Sequence, residues 1–217
     1  YVGGKRKLAK KIISLMPKDM HTYVEPFFGG GAVYFEMVRR GLQPKRNYLS
    51  DFDENLMHMY DEVRDNPQDL LASLSQIVPA YLKAPEACYK RMRELWNRGY
   101  KTPGKNVFLR YTSFNGLWRE NKSGMMNTPW GKMLKPAFPD EARLAAVSWA
   151  LKKADLSAMS FEEAFELRDE FAKSGAIIYL DCPYYAPPEK NGFKAYTGDG
   201  FSDDQQIKLI KECARWA

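Results

Sequence analysis

Residues 21–41 read HTYVEPFFGGGAVYFEMVRRG, and the rest of the chain is organised around them. A short apolar run leads into three glycines, and a helical pattern then runs to Gly41, which spells strand, turn, helix. Residues 47–67, NYLSDFDENLMHMYDEVRDNP, repeat the theme with a second short strand, a polar turn from Asp51 to Glu54 and another helix. Strand, helix, strand at these lengths implies a parallel sheet. Upstream, KRKLAKKIISLMP places Leu8, Ile12, Leu15 and Met16 at helical spacing opposite a lysine-rich face, so an amphipathic helix should end near Pro17.

Beyond residue 55 the rhythm breaks. Helical patterns occupy about 68–98, and residues 101–139, KTPGKNVFLRYTSFNGLWRENKSGMMNTPWGKMLKPAFP, fit neither amphipathic helix nor alternating strand. The α/β pattern returns with a helix over 140–153, a short strand at Asp155 to Ala158, a helix over 161–173 and the apolar strand AIIYLD ending on Asp181. The stretch CPYYAPPEKNGFKAYTGDG is a loop before a final helix that starts near Ser202. The expected fold is a three-layer α/β protein with a doubly wound, mainly parallel sheet, built from 1–54 and 141–217 and interrupted by a largely helical insertion at 55–140.

Composition narrows the class. At 217 residues, 45% hydrophobic and 28% charged, the chain is globular, and no apolar run is long enough to span a bilayer. The start YVGGKRKLAKK lacks the apolar core of a secretory signal, so a cytoplasmic location is expected. Cys88, Cys182 and Cys213 are widely spaced and form neither a disulfide framework nor a metal-ligand pair. A net charge of +6 with 14% aromatic residues makes nucleic acid a candidate partner, because positive charge concentrates polyanions and aromatic faces stack on unpaired bases. The chain begins at Tyr1 rather than Met and stops inside a helical stretch, and it is expected to be a piece of a longer protein.

Two places carry chemistry. Gly29-Gly30-Gly31 sits between strand and helix, where doubly wound sheets bring backbone close to a nucleoside ligand, and Asp51 stands at the end of the next strand, where a carboxylate can accept hydrogen bonds from ribose hydroxyls. The dinucleotide pattern G-x-G-x-x-G fails, because its third glycine position holds Tyr34. At the other place, Asp181-Cys182-Pro183-Tyr184 follows a strand. A carboxylate beside a main-chain carbonyl offers two acceptors to a planar exocyclic amine, and Tyr184 offers a ring on which a base can stack. Such acceptors favour the charge that develops as a delocalised amine attacks a methyl group. Each feature alone also fits a plain structural role, a tight turn or a strand ended by Asp and Pro.

Together, YVGGKRKL, VEPFFGGGAVYFE, SDFDENL, FNGLWRENKSGMMNTPWG and YLDCPYYAP followed by FKAY resemble, in this order and over nearly the whole chain, the Dam-type DNA adenine methyltransferases of bacteria and phages. The resemblance implies transfer of a methyl group from S-adenosylmethionine, leaving S-adenosylhomocysteine, to the N6 amine of an adenine flipped out of double-stranded DNA, with no metal. It implies that Tyr1, Gly3, Gly4 and Lys5 pack against the methionine part of the donor. Glu25, Pro26, Phe27 and Gly29 match the glycine loop, Asp51 the ribose-binding acid, and Ser160 with Phe161 the segment beside the donor's adenine. Asp181, Cys182, Pro183 and Tyr184 match the catalytic tetrapeptide, with Asp181 also facing the donor. Asn115, Gly116, Leu117, Arg119, Asn121, Asn127 and Pro129 match the DNA-reading stretch, in which Arg119 is the candidate reader of guanine.

Two departures stand out. The family's Asp-Pro-Pro-Tyr is here Asp181-Cys182-Pro183-Tyr184, which keeps the carbonyl at 182 but not the fixed φ of proline. The further strands that complete the family's sheet are absent after Ala217. The expected protein is therefore a site-specific adenine methyltransferase of a bacterial or phage-infected cell, with GATC as the leading recognition site. No membrane and no obligate protein partner are expected. Two rivals remain: a DNA-binding remnant without turnover, and a methyltransferase acting on RNA or a protein amide.

Overall fold

The computed structural model describes residues 5–167, 175–183 and 201–216. In chain order the described elements are α1 (Arg6–Ser14), β1 (Thr22–Glu25), α2 (Ala32–Arg39), β2 (Arg46–Asp51), α3 (Glu54–Asp65), α4 (Pro67–Lys83), α5 (Pro85–Asn97), α6 (Pro103–Thr112), α7 (Glu141–Leu151), β3 (Asp155–Ala158), α8 (Phe161–Glu166), β4 (Ala176–Ile178) and α9 (Asp203–Trp216). They fall into two units. Residues 5–60, 149–167, 175–183 and 202–216 form one, and 61–148 with 201 form the other, so the borders lie inside α3 and α7.

The first unit holds a four-stranded, all-parallel sheet in the order β3-β2-β1-β4. All four residues of β1 are buried, as a parallel strand covered on both faces requires. The chain steps outward from β1 to β2 to β3 and then crosses to the other side of β1 for β4, so the direction of winding reverses at β1. In open α/β sheets that reversal opens a crevice at the carboxyl ends of the strands. After strand β1, which precedes the glycine turn, the Phe28 ring packs against the rings of Tyr34, Phe35 and Tyr60 at centroid distances of 6.2, 5.9 and 4.8 Å. Gly31 closes the turn into α2 with φ +59°, and a Cβ there would lie 2.6 Å from the Phe28 and Phe35 rings. Both backbone sign and space restrict this position to glycine.

The doubly wound parallel sheet agrees with the expectation, and two local expectations are corrected. The strand AIIYLD does not run to Asp181, because the ladder ends at Ile178 with one further bond from the Tyr179 N–H to the Val24 carbonyl at 2.8 Å. Pro26 follows Glu25 on the neighbouring strand and has no N–H with which to continue the ladder. In the second unit, residues 103–112 form α6 where irregular chain was expected. Thr102 caps the helix by accepting the Lys105 N–H at 3.3 Å, and Pro103 occupies its first turn. Gly104, Asn106 to Arg110 and Thr112 are all buried, so the helix lacks the polar face that periodicity would have revealed.

Candidate active site and nucleic-acid interface

Three carboxylates converge on the carboxyl edge of the sheet. Glu25 ends β1, is 2% exposed, and accepts one hydrogen bond, from the Tyr23 hydroxyl at 2.8 Å. Burial pushes its carboxyl up to about 8. The Tyr23 hydrogen bond works against that shift, and the neighbouring charges of Asp181 and Asp51 add to it. Asp51 ends β2 and accepts the Gly29 N–H on one oxygen at 2.8 Å and the Asp53 N–H on the other at 3.0 Å. It thus ties the glycine turn to the turn that starts α3. The Tyr60 hydroxyl holds the same turn through the Gly29 carbonyl at 2.9 Å.

Next to Asp51, the Met159 N–H bonds the Asp51 carbonyl at 3.1 Å and brings the exit of β3 alongside. Ser160 then caps α8 in a reciprocal box with Glu163, and Phe161 is buried with its ring stacked on Phe27 at 5.7 Å. Ser160 and Phe161 therefore build the wall beside Asp51. Beyond β4, Asp181 accepts from the Lys5 ammonium at 2.6 Å, both side chains being partly buried. The Pro183 carbonyl accepts from the Gln206 amide of α9 at 3.1 Å, which fixes the loop after the strand. Burial raises the Cys182 thiol above its ordinary range.

Of the residues expected at this site, the structure places Lys5, Glu25, Pro26, Phe27, Gly29, Asp51, Ser160, Phe161, Asp181, Cys182 and Pro183 at this one edge. Tyr1, Gly3, Gly4 and Tyr184 lie outside the described residues. The Lys5–Asp181 pair and the Gln206 contact carry no local signal in the sequence; the first joins positions 176 apart, and no local period links them.

The stretch matching the DNA-reading element is a hairpin in the second unit. The Asn127 N–H bonds the Arg119 carbonyl at 3.0 Å, the Asn121 N–H bonds the Met125 carbonyl at 2.9 Å, and Asn121 folds the tip by accepting the Ser123 and Met125 N–H groups. Asn121 is thus a turn former here, in addition to any contact outside the chain. At the base of the hairpin Asn115 and Gly116 both take positive φ, 53° and 65°, and the Leu117 N–H closes this tight turn on the Phe114 carbonyl at 3.0 Å. Asn115, Asn127 and Pro129 are exposed, Leu117 is buried, and Phe114, not singled out in the sequence, is 48% exposed at the turn. Arg119 is half-buried, and its Nε is a buried atom with no hydrogen-bond partner among the described residues. Its neighbour Trp118 is held edge-on to Trp96 at 5.1 Å and beneath the Arg110 guanidinium at 4.5 Å.

A parallel α/β sheet with a glycine turn, an acid at the end of β2 and a reversal of winding at β1 is the arrangement of doubly wound α/β proteins. The comparison with known proteins narrows this to one family: the chain belongs to the D12 class N6 adenine-specific DNA methyltransferases, whose profile matches residues 1–217. It is 32% identical over 226 residues to the Type II methyltransferase M.MjaIII of Methanocaldococcus jannaschii, covering 97% of this chain and 76% of that protein. To the DNA adenine methylase of Vibrio cholerae it is 29% identical over 213 residues, covering 96% and 72%. To the DNA adenine methylase of Escherichia coli it is 27% identical over 214 residues, covering 97% and 73%. Among the described residues no helix is long and apolar enough to cross a membrane.

Proposed function

We propose that this protein methylates the N6 amine of one adenine within a defined sequence of double-stranded DNA, with S-adenosylmethionine as donor and GATC as the sequence read. The observation that carries the reading is the convergence of Glu25, Asp51 and Asp181 on the carboxyl edge of the sheet, where the Lys5 ammonium pairs with Asp181. An acidic crevice beside a glycine turn suits a nucleoside ligand that bears positive charge, and the donor supplies an electrophilic methyl on a sulfonium. Asp51 would take its ribose hydroxyls, Phe27 and Phe161 its adenine, and Glu25 with Lys5 its methionine end. Asp181 and the Cys182 carbonyl would accept the two hydrogens of the target amine and stabilise the charge that develops on nitrogen. Pro183 and Tyr184 would line the base pocket.

Residues 55–140 serve as the DNA-reading insertion in this proposal. Arg119 reads guanine, and Asn115, Gly116, Leu117, Asn121, Asn127 and Pro129 shape or contact the bases and phosphates around it. The names of the relatives, Type II methyltransferase and DNA adenine methylase, support a modification role, either beside a restriction enzyme or alone; the cytoplasm of a bacterial or phage-infected cell is the location in this proposal.

The test incubates duplex DNA carrying every four-base-pair sequence with the purified protein and S-adenosylmethionine labelled in its methyl group, then analyses the nucleosides and sequences the modified sites. N6-methyladenine confined to GATC is the expected outcome. Modification at another sequence overturns the site, and donor binding without transfer assigns the DNA-binding rival. Transfer to RNA or protein in preference to duplex DNA overturns the substrate.

A further inference from the structure

Helix α5 presents Tyr89, Arg93 and Asn97 at intervals of four residues, and therefore on one face. All three end on the backbone of the hairpin's second strand. The Tyr89 hydroxyl and the Arg93 guanidinium both donate to the Thr128 carbonyl, at 2.8 and 2.7 Å. The Asn97 amide donates to the Met126 carbonyl at 2.9 Å, and its oxygen accepts the Met126 N–H at 2.8 Å. One side chain thus satisfies both backbone groups of a residue that would otherwise be ready to pair with a neighbouring strand. Met126 and Thr128 are buried, and the Thr128 hydroxyl in turn accepts the Arg119 N–H at 3.0 Å. An unbroken line of hydrogen bonds therefore runs from α5 through Thr128 to the residue whose guanidinium has an unsatisfied Nε.

The hairpin's own pairing is short, with the Phe114 N–H on the Pro129 carbonyl at 2.9 Å at its base and the Asn127 N–H on the Arg119 carbonyl at 3.0 Å and the Asn121 N–H on the Met125 carbonyl at 2.9 Å toward its tip. Between Ser113 and Trp130 its strands meet in two isolated bridges, Ser113 with Trp130 and Glu120 with Met126. A two-stranded ribbon is marginal alone and needs packing against another element. Bidentate base reading tolerates little displacement, since the guanidinium must meet two acceptors at once.

We propose that the α5 ladder of Tyr89, Arg93 and Asn97 sets the base-reading pose of the hairpin, so that Asn97 and Tyr89 are positioning residues that determine sequence specificity without touching a base. This rests on the proposed role of the hairpin in reading DNA. The expected signature is a loss of discrimination rather than a loss of reaction, because the crevice that performs the chemistry belongs to the other unit.

The test measures methyl transfer to the cognate duplex and to its single-base-pair variants for the parent, Asn97→Ala, Asn97→Asp, Tyr89→Phe and Arg119→Ala. Asn97→Ala, which deletes two hydrogen bonds, should lower the cognate-to-variant ratio of kcat/KM roughly 10-fold, while affinity for S-adenosylhomocysteine is unchanged. Asn97→Asp keeps the acceptor and loses the donor, and should fall between parent and alanine. Tyr89→Phe deletes one hydroxyl, and because it leaves the ring in place it serves even if the alanine variant fails to fold; its ratio should fall about 3- to 5-fold. If the ladder variants slow all duplexes in parallel, or leave the ratio intact while Arg119→Ala collapses it, the ladder is scaffolding and the proposal fails. If Arg119→Ala itself leaves the ratio intact, the reading of the hairpin as the specificity element fails instead.

Discussion

At the carboxyl edge of the sheet, side chains are placed by backbone. Asp51 receives two main-chain N–H groups, the glycine turn is closed by the Phe28 N–H on the Ser50 carbonyl at 2.9 Å, and Glu25 and Asp51 are the last residues of their strands. In the hairpin of residues 113–130 the relation is reversed, because backbone is placed by side chains: Tyr89, Arg93 and Asn97 grip the groups of Met126 and Thr128. A site of the first kind follows from topology and tolerates change in the surrounding side chains. A site of the second kind can be retuned by single substitutions on the helix that grips its backbone. Chemistry and sequence recognition should therefore respond independently to mutation.

The largest effect expected is that of Asp181→Ala. Removing a preorganised acceptor typically costs on the order of 100- to 1000-fold in rate, and the pair with Lys5 is partly exposed, so the fold should be retained. Single-turnover methyl transfer, with circular dichroism as the control for folding, checks it. Activity within a few fold of the parent would remove Asp181 from the reaction and erase the chemical half of the contrast.

Asp51→Ala and Arg119→Ala form a crossed pair. Loss of a charge-assisted hydrogen bond to ribose should weaken S-adenosylhomocysteine by about 10- to 150-fold and leave DNA affinity nearly unchanged. Arg119→Ala should do the opposite, with about 1 to 3 kcal/mol lost on the cognate duplex and discrimination relaxed at one base pair. Calorimetric donor titrations and DNA binding at several salt concentrations separate them. A uniform loss on all sequences with a shallower salt dependence would make Arg119 a phosphate contact.

How far the sequence alone reached follows the same division. The glycine turn, the strand that ends on Asp51 and the short strand Asp155–Ala158 are legible because strands in a parallel sheet carry local signals, apolar runs and glycines, whereas the end of β4 is not, its apolar run continuing past Ile178 where the ladder stops. Helix α6 is not legible either, because burial on every side erases its periodicity. The Lys5–Asp181 pair and the grip of Asn97 on Met126 join residues 176 and 29 positions apart, and nothing in local composition encodes such partners. Asn115-Gly116 could have been found from its dipeptide alone, since both residues take the left-handed backbone that this pair favours.

An effect on stability, and not on rate or binding, is expected from Glu25 as pH is varied. In the unfolded chain its carboxyl titrates near 4.5, whereas in the folded protein burial holds it near 8. Between those values the native state keeps a proton that the unfolded state has lost, so this group's contribution to stability is full below 4.5 and is lost as pH rises toward 8. The slope is about 1.36 kcal/mol per pH unit, and it flattens above 8. Relative to Glu25→Gln, the donor-free parent should thus lose stability between pH 5 and about 8, as measured by urea unfolding. Parallel curves for parent and variant would show that Glu25 is already ionised in the fold, and the edge would then carry a third full negative charge.

The smallest effect should come from Cys182→Ala, and the reason lies in what position 182 contributes. In the proposed reaction the group used there is the backbone carbonyl, which alanine keeps. The thiol is poorly suited to act as a nucleophile, because burial and the neighbouring Asp181 charge both hold it above its ordinary range and so keep it protonated at neutral pH. Methyl transfer by Cys182→Ala should therefore stay within about 2-fold of the parent, a change of under about 0.5 kcal/mol in the barrier. Cys182→Pro asks whether a fixed backbone improves the acceptor: with φ held near −65° the carbonyl has less freedom, and turnover should rise while donor affinity stays level. Measuring both variants side by side separates backbone from side chain. If alanine abolishes transfer and proline does not restore it, the sulfur takes part in the reaction, and the edge of the sheet would depend on a side chain as strongly as the hairpin does.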